Sequence, residues 1–178
     1  PAERRNIMEI IDRFLDPYEY DHLRTAFLSD TFPWYYGRKT THIAQMIDPD
    51  LIAKEKYNWH MFNLMYSNGV PQTPEYDHIL GIVNKLQPRA IIRVKANMTP
   101  VAEEIREFEM HNDINDDKKG ESKTAIYYIN SNNGFSLFED GTKVESVANR
   151  LVIFPESTMH CGTTSTDERR LVINLNYF

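Results

Sequence analysis

A chain of 178 residues with 41% hydrophobic content is long enough to bury a substantial core and too short for two ordinary domains, so one domain spanning 1–178 is expected. Its formal net charge of -6 argues against a nucleic-acid partner, because phosphate binding needs clustered Lys and Arg. The single cysteine, Cys161, excludes an intramolecular disulfide and favours a reducing, cytoplasmic setting; no apolar run approaches the ~20 residues that span a bilayer and no signal-peptide core is visible, so a soluble protein without a membrane partner is expected.

Taken in chain order, Ile7, Ile10, Ile11 and Phe14 recur at helical spacing and predict a helix ending before Asp16-Pro17. Asp16 can cap, and Pro17 can open, a second helix carrying Tyr20, Leu23 and Phe27. The run Trp34-Tyr35-Tyr36 reads first as packing, since aromatics dominate cores by area, and second as a pocket wall. A third helix begins near Thr73-Pro74, puts Ile79, Ile82, Val83 and Leu86 on one face and stops at Gln87-Pro88. Residues 1–89 are thus expected to form a mostly helical support outside a sheet. The acidic stretch 100–108 reads as a short helix or a loop.

From Ala90 onward strand signals are dense, over 90–97, 108–114, 124–130, 135–139, 143–147, 150–154 and 170–177. Asn132-Asn133-Gly134 is expected to supply left-handed turn residues, and Asp140-Gly141 a hairpin. Seven or eight short strands with such turns predict a mainly β fold with flanking helices (α+β), a double-stranded β-helix or cupin-like jelly roll, with residues 90–178 as its core. The run Asp116-Asp117-Lys118-Lys119-Gly120 reads as an exposed loop placed to cover a site at the barrel mouth.

Four residues carry the chemistry. In an extended strand His111 and Asp113 point the same way and can grip one ion, while the third ligand must come from another strand. His160 follows the apolar run Leu151-Val152-Ile153-Phe154 and is placed to provide it, 49 positions after His111. Two imidazoles and one carboxylate on one face of an ion form the facial triad of non-haem Fe(II) oxygenases. The last strand alternates Arg170, Val172, Asn174 and Asn176 with Leu171, Ile173, Leu175 and Tyr177. An inward Arg170 beside a metal site is costly to bury unless an anion meets it, and its planar fork matches a carboxylate.

His-x-Asp alone is a frequent accident, and Asp167-Glu168-Arg169-Arg170 could be a solvated turn; Arg169, opposite in facing and nearer the loop, fits that reading better than Arg170 does. His22, His42, His60 and His78 lack comparable partners and read as surface or core residues. Cys161 beside His160 reads as structural.

The HxD pair, the distal His and the Arg ten positions later resemble the 2-oxoglutarate- and Fe(II)-dependent dioxygenases, in particular the prolyl-4-hydroxylase-like branch and its small phage-type members. The stretches Thr31–Tyr36, Arg93–Asn97, Thr124–Asn130 with Asn133-Gly134, and Asn149–Pro155 carry the likeness further, so that it covers residues 31 to 178. The resemblance implies catalysis at an iron held by His111, Asp113 and His160, with 2-oxoglutarate anchored by Arg170 and contacted by Asn97 and by one of Tyr127 or Tyr128, Tyr128 being the choice carried forward. It implies O2 as the other cosubstrate, ascorbate as an accessory reductant, and hydroxylation of an unactivated C–H bond with succinate and CO2 as coproducts. A peptidyl proline is the simplest substrate it suggests, with a free amino acid or other small metabolite close behind. Asn149 stands where the family often has Gly, and Asn tolerates the left-handed turn best among other residues. Asn133-Gly134-Phe135-Ser136 replaces a turn common in prolyl hydroxylases, which leaves the substrate open. The alternative from another class is a non-catalytic cupin-like binding or structural jelly roll, and a third is a metal-dependent isomerase on the same barrel.

Overall fold

Strand alternation builds the back half of the chain, and the front half contributes more strand than its hydrophobic spacing predicts. The computed structural model describes residues 8–37, 59–113 and 122–178. The expected loop 116–120 and His42 lie outside these residues. Along the chain run β1 (Glu9–Ile11), α1 (Pro17–Leu28), β2 (Tyr35–Gly37), β3 (His60–Ser67), β4 (Val70–Pro71), a 3-10 turn (Pro74–Ile79) leading into α2 (Leu80–Leu86), and β5 (Ile91–Thr99). There follow β6 (Lys123–Tyr128), β7 (Phe135–Phe138), β8 (Lys143–Glu145), β9 (Arg150–Pro155), β10 (His160–Gly162) and β11 (Arg170–Tyr177).

Eight of these strands form a major sheet in the order β1-β9-β6-β11-β5-β3-β2, with β4 on β3; the minor sheet is β10-β7-β8. A single bridge between His111 and His160 adds the HxD segment to the free edge of the minor sheet. Two antiparallel sheets with non-consecutive strands as neighbours make the expected double-stranded β-helix.

The two faces of the major sheet differ in chemistry. On the outer face Leu171, Ile173, Leu175 and Tyr127 join Phe27, Ile79 and other residues of the helical elements in the larger core. Phe27 stacks on Phe32 at 4.5 Å between ring centroids. The inner face carries the smaller apolar cluster, with Ile126, Tyr128, Val152, Phe154 and Val172 meeting Phe138 and Val144 of the minor sheet. Polar residues complete that inner face.

Local chemistry explains the helices that form as expected. The Asp16 side chain accepts from the backbone N–H groups of Tyr18 and Glu19, and Pro17 occupies the first turn. Gln87, left-handed at φ 49, ends α2 ahead of Pro88. The helix expected over Ile7 to Phe14 does not form: Glu9–Ile11 is a strand paired with Leu151–Ile153, so a long-range partner overrides the 3.6-residue spacing. β3 was not foreseen. Residues 100–108 contain no helix; Val101 and Glu107 make single bridges to Ser165 and Thr163. His160, expected beyond the end of the strand 150–154, lies in a separate short strand, β10.

Among the turns, Gly141 takes φ 85 as the Asp-Gly hairpin requires, whereas Asn132, Asn133 and Gly134 are not left-handed. Gly134 is required for a different reason: a Cβ there would lie 2.8 Å from Thr164 O and 2.9 Å from Arg170 Cδ. Asn149 is left-handed at φ 61, and its side chain accepts from Leu15 N (2.8 Å) and Tyr127 Oη (2.9 Å) while donating to Leu15 O (2.9 Å).

Candidate metal centre and cosubstrate pocket

The ligand atoms of His111, Asp113 and His160 all lie within 4.8 Å of one another. Cis ligands at ~2.1 Å from one cation stand about 3 Å apart, so the three side chains would draw together by rotation on binding it. Each imidazole is oriented by a carbonyl two residues earlier: His111 Nδ1 donates to Glu109 O (3.0 Å) and His160 Nδ1 to Thr158 O (3.1 Å). A carbonyl can only accept, so both rings carry their proton on Nδ1 and leave the Nε2 lone pair for a metal. Burial lowers the pKa of His160, which favours the neutral, ligating form.

Asp113 is nearly enclosed, with 4% of its side chain exposed. Its Oδ2 accepts from Asn176 Nδ2 (3.0 Å) and Thr124 Oγ1 (3.2 Å), and its Oδ1 from Arg93 Nη2 (3.4 Å). Burial alone would raise its pKa; the electrostatic pull of the His160 ring and of Arg93 and the Asn176 hydrogen bond outweigh it, and the net shift is downward. The carboxylate is therefore ionised and fixed in place. Two nitrogens and one ionised oxygen, backed by oriented second partners, fit a first-row divalent metal such as Fe(II), and Zn(II) or Ni(II) would compete by affinity.

Arg170 lies fully inside the barrel. Its Nε donates to Ser146 Oγ (3.0 Å) and its Nη2 to Ser136 Oγ (3.0 Å), which also accepts from Tyr128 Oη (2.8 Å). Its remaining nitrogen faces Gly162, where a Cβ would come within 3.2 Å of Nη1. Gly162 and His160 alternate onto the same face of β10, so guanidinium and imidazole look into one cavity. No carboxylate partners Arg170 among the described residues, and burial pushes its pKa down from the usual arginine range. Arg169 stays at the surface, near Glu168 and Leu28 O.

The neighbouring tyrosines separate cleanly. Tyr128 faces inward, 5.7 Å below the Arg170 guanidinium, whereas Tyr127 faces the outer core and bonds Asn149. Asn97 pairs with Val172 and alternates with outward-packed Met98, so it too lines the inner face. Trp34 packs on Phe27 and Phe32, while Tyr35 and Tyr36 are largely exposed.

Sequence reasoning missed several inner-face residues. Arg93 and Lys95 stand with Asn97 at alternate positions of β5, a periodicity visible in the letters. Ser136, Ser146 and Thr124 gave no signal of their own. His60, read as a bystander, is 4% exposed and brings Nε2 within 3.1 Å of Lys95 Nζ. A groove of about 740 Å3, lined by Asn133, Lys143 and Arg150, contains none of the triad and borders the Arg170 side of the site at Gly134, Val144 and Ser146.

No protein-family model matches this sequence, and no curated protein matches it. Solved structures do. A prolyl hydroxylase from Trichoplax adhaerens, in complex with a hypoxia inducible factor peptide, aligns at TM-score 0.67 and 15% identity over 98% of this chain and 84% of that one. The viral collagen prolyl hydroxylase of Paramecium Bursaria Chlorella virus-1, as its 2OG complex, aligns at 0.59 and 15% over 95% and 93%. The non-heme alpha ketoglutarate dependent epimerase SnoN from nogalamycin biosynthesis aligns at 0.66 and 14% over 98% and 77%. The fold is therefore that of the 2-oxoglutarate/Fe(II) oxygenases. Prolyl hydroxylases and the nogalamycin epimerase share that fold with this chain to a similar degree.

Proposed function

We propose that this protein is a 2-oxoglutarate- and Fe(II)-dependent dioxygenase that hydroxylates an unactivated C–H bond, with His111, Asp113 and His160 as metal ligands and Arg170, Tyr128 and Asn97 as cosubstrate contacts. The observation that carries this reading is the pairing of a facial His-Asp-His cluster with a buried, carboxylate-free guanidinium on one inner face. A non-catalytic jelly roll gives no reason to bury that arginine. When bound, iron with 2-oxoglutarate and O2 supplies the oxidising chemistry, leaving succinate, CO2 and a hydroxylated product.

The chain's own residues supply position and charge. Arg170, held by Ser136 and Ser146, presents free N–H donors to the far carboxylate of the diacid, and Tyr128 is placed to add a hydroxyl contact. Asp113 offsets metal charge while Arg93, Asn176 and Thr124 hold its orientation. Phe138 and Phe154 pack on the His160 ring, with centroids 6.0 and 4.8 Å away, and keep that side of the cavity dry. A peptidyl proline is the substrate suggested by the prolyl hydroxylases of like fold. A cytoplasmic, reducing setting suits a chain whose one cysteine is buried and free, and no helix among the described residues is long and apolar enough to cross a membrane.

The test needs no substrate. Anaerobic protein given Fe(II) and 2-oxoglutarate should develop a weak visible charge-transfer band, and admission of air with ascorbate present should release succinate through uncoupled turnover. Absence of both in protein that binds Fe(II) refutes the oxygenase assignment.

A further inference from the structure

The inner face holds a second polar cluster that neither the metal nor the diacid uses. Lys95 lies two residues along β5 from Arg93, with Asn174 of β11 as its register partner. Its Nζ sits 3.1 Å from His60 Nε2 and 4.8 Å from the centroid of the Phe62 ring. His60 Nε2 faces an ammonium and must accept, so Nδ1 carries the proton; that atom is buried and has no hydrogen-bond partner. Asn174 Oδ1 is likewise buried and unpartnered.

A partly enclosed ammonium whose contacts among the described residues are a neutral imidazole and a ring face is better satisfied when an anion joins it. None of the described carboxylates pairs with Lys95; Asp113 is already engaged by Arg93, Asn176 and Thr124. Burial and the Arg93 charge push Lys95 down to about 8 against the opposing pull of Asp113, and burial with the Lys95 charge pushes His60 down to about 4. Position separates this cluster from the diacid anchor. Lys95 neighbours the Arg93–Asp113 end of the inner face, whereas Arg170 opens β11 four residues before Asn174, opposite Thr99.

We propose that Lys95, its ammonium positioned by His60 Nε2, forms the substrate subsite, receiving a carboxylate of the molecule to be hydroxylated while Phe62 packs against its apolar part. The substrate is then a carboxylic acid, either a small free acid or an acidic side chain of a peptide. What happens to the bound acid rests on the oxygenase reading; its binding does not.

The test uses protein loaded with Zn(II) and 2-oxoglutarate, which cannot turn over. N-acetyl-L-proline, its amide, and a capped glutamyl-proline dipeptide amide are titrated by calorimetry, with the Lys95 Nζ resonance followed by 15N NMR and assigned by its loss in Lys95→Arg. At least one carboxylate should bind and shift that resonance, which one telling free acid from side chain, and N-acetyl-L-prolinamide should bind at least tenfold more weakly. Lys95→Met should lose at least tenfold in affinity for the acid with 2-oxoglutarate binding within twofold of wild type, and Lys95→Arg should keep most of the acid affinity. Wild-type acid binding in Lys95→Met, a loss of 2-oxoglutarate affinity instead, or no shift with either carboxylate overturns the proposal. If Lys95→Met does not fold, the wild-type resonance responding to acid and not to amide decides. Acid binding without succinate release in air would separately refute the oxygenase reading and leave this subsite standing.

Discussion

Tyr127 and Tyr128 are adjacent, both fully buried, and belong to different environments. Tyr127 serves the outer core, where apolar packing dominates and its single hydroxyl meets Asn149. Tyr128 serves the inner face, where a guanidinium and a carboxylate lie enclosed and an ammonium is half-buried. The outer face is built for stability. The inner face keeps buried charges whose partners, on the reading above, arrive as metal, diacid and substrate, and it relies on the outer face to hold them in place.

That division predicts opposite phenotypes. On the inner face His111→Ala or Asp113→Ala should abolish succinate release and iron binding, measured by metal content after desalting. On the outer face Phe27→Ala, which opens a cavity at a fully buried ring, should cost about 3–5 kcal/mol in denaturant unfolding with 2-oxoglutarate affinity retained in the folded fraction. An inner-face variant that lost stability on the scale of Phe27→Ala would break the comparison. Next in size, Arg170→Ala removes charge-assisted hydrogen bonds of about 1.5–3 kcal/mol and should raise the 2-oxoglutarate requirement by roughly ten- to a hundredfold. Unchanged cosubstrate affinity would disprove the anchor.

The pH dependence sharpens the same contrast. His60 in the folded chain resists protonation until about 4, whereas the unfolded chain takes up that proton near the ordinary value of 6.5. Between those values the unfolded state binds more protons, so stability should fall as pH drops from 6.5 toward 4. His60→Gln should flatten that limb of the denaturation profile. The smallest effect tests the two tyrosines directly: Tyr127→Phe should cost about 1 kcal/mol of stability and leave 2-oxoglutarate binding alone, and Tyr128→Phe should weaken that binding instead.

Much of this was legible in the letters. The strands from β5 onward, apart from β10, are marked by alternation or short apolar runs, whereas the strand expected over 108–114 is, within the described residues, only the single His111–His160 bridge; the His-Asp-His cluster is marked by an HxD pair and a later histidine. The front half was harder. Ile10 and Ile11 satisfy helical spacing as well as strand pairing, and the deciding partner, Val152, lies far along the chain. Met61-Phe62-Asn63-Leu64-Met65 has no clean alternation because β3 is packed on both faces, by Met65 in the outer core and by Phe62 beneath Lys95. Nothing local could pair Arg93 with Asp113 or His60 with Lys95, since each contact needs the register between separate strands.

Asn149 carries one more consequence. Its left-handed turn begins β9, and its amide clamps Leu15 just after the three-residue strand β1 that covers the outer margin of β9. Glycine there would keep the bend and release the clamp, letting β1 peel away and baring the backbone N–H and C=O groups of β9 as a template for another chain. The asparagine thus keeps β1, and not β9, at the margin of the major sheet.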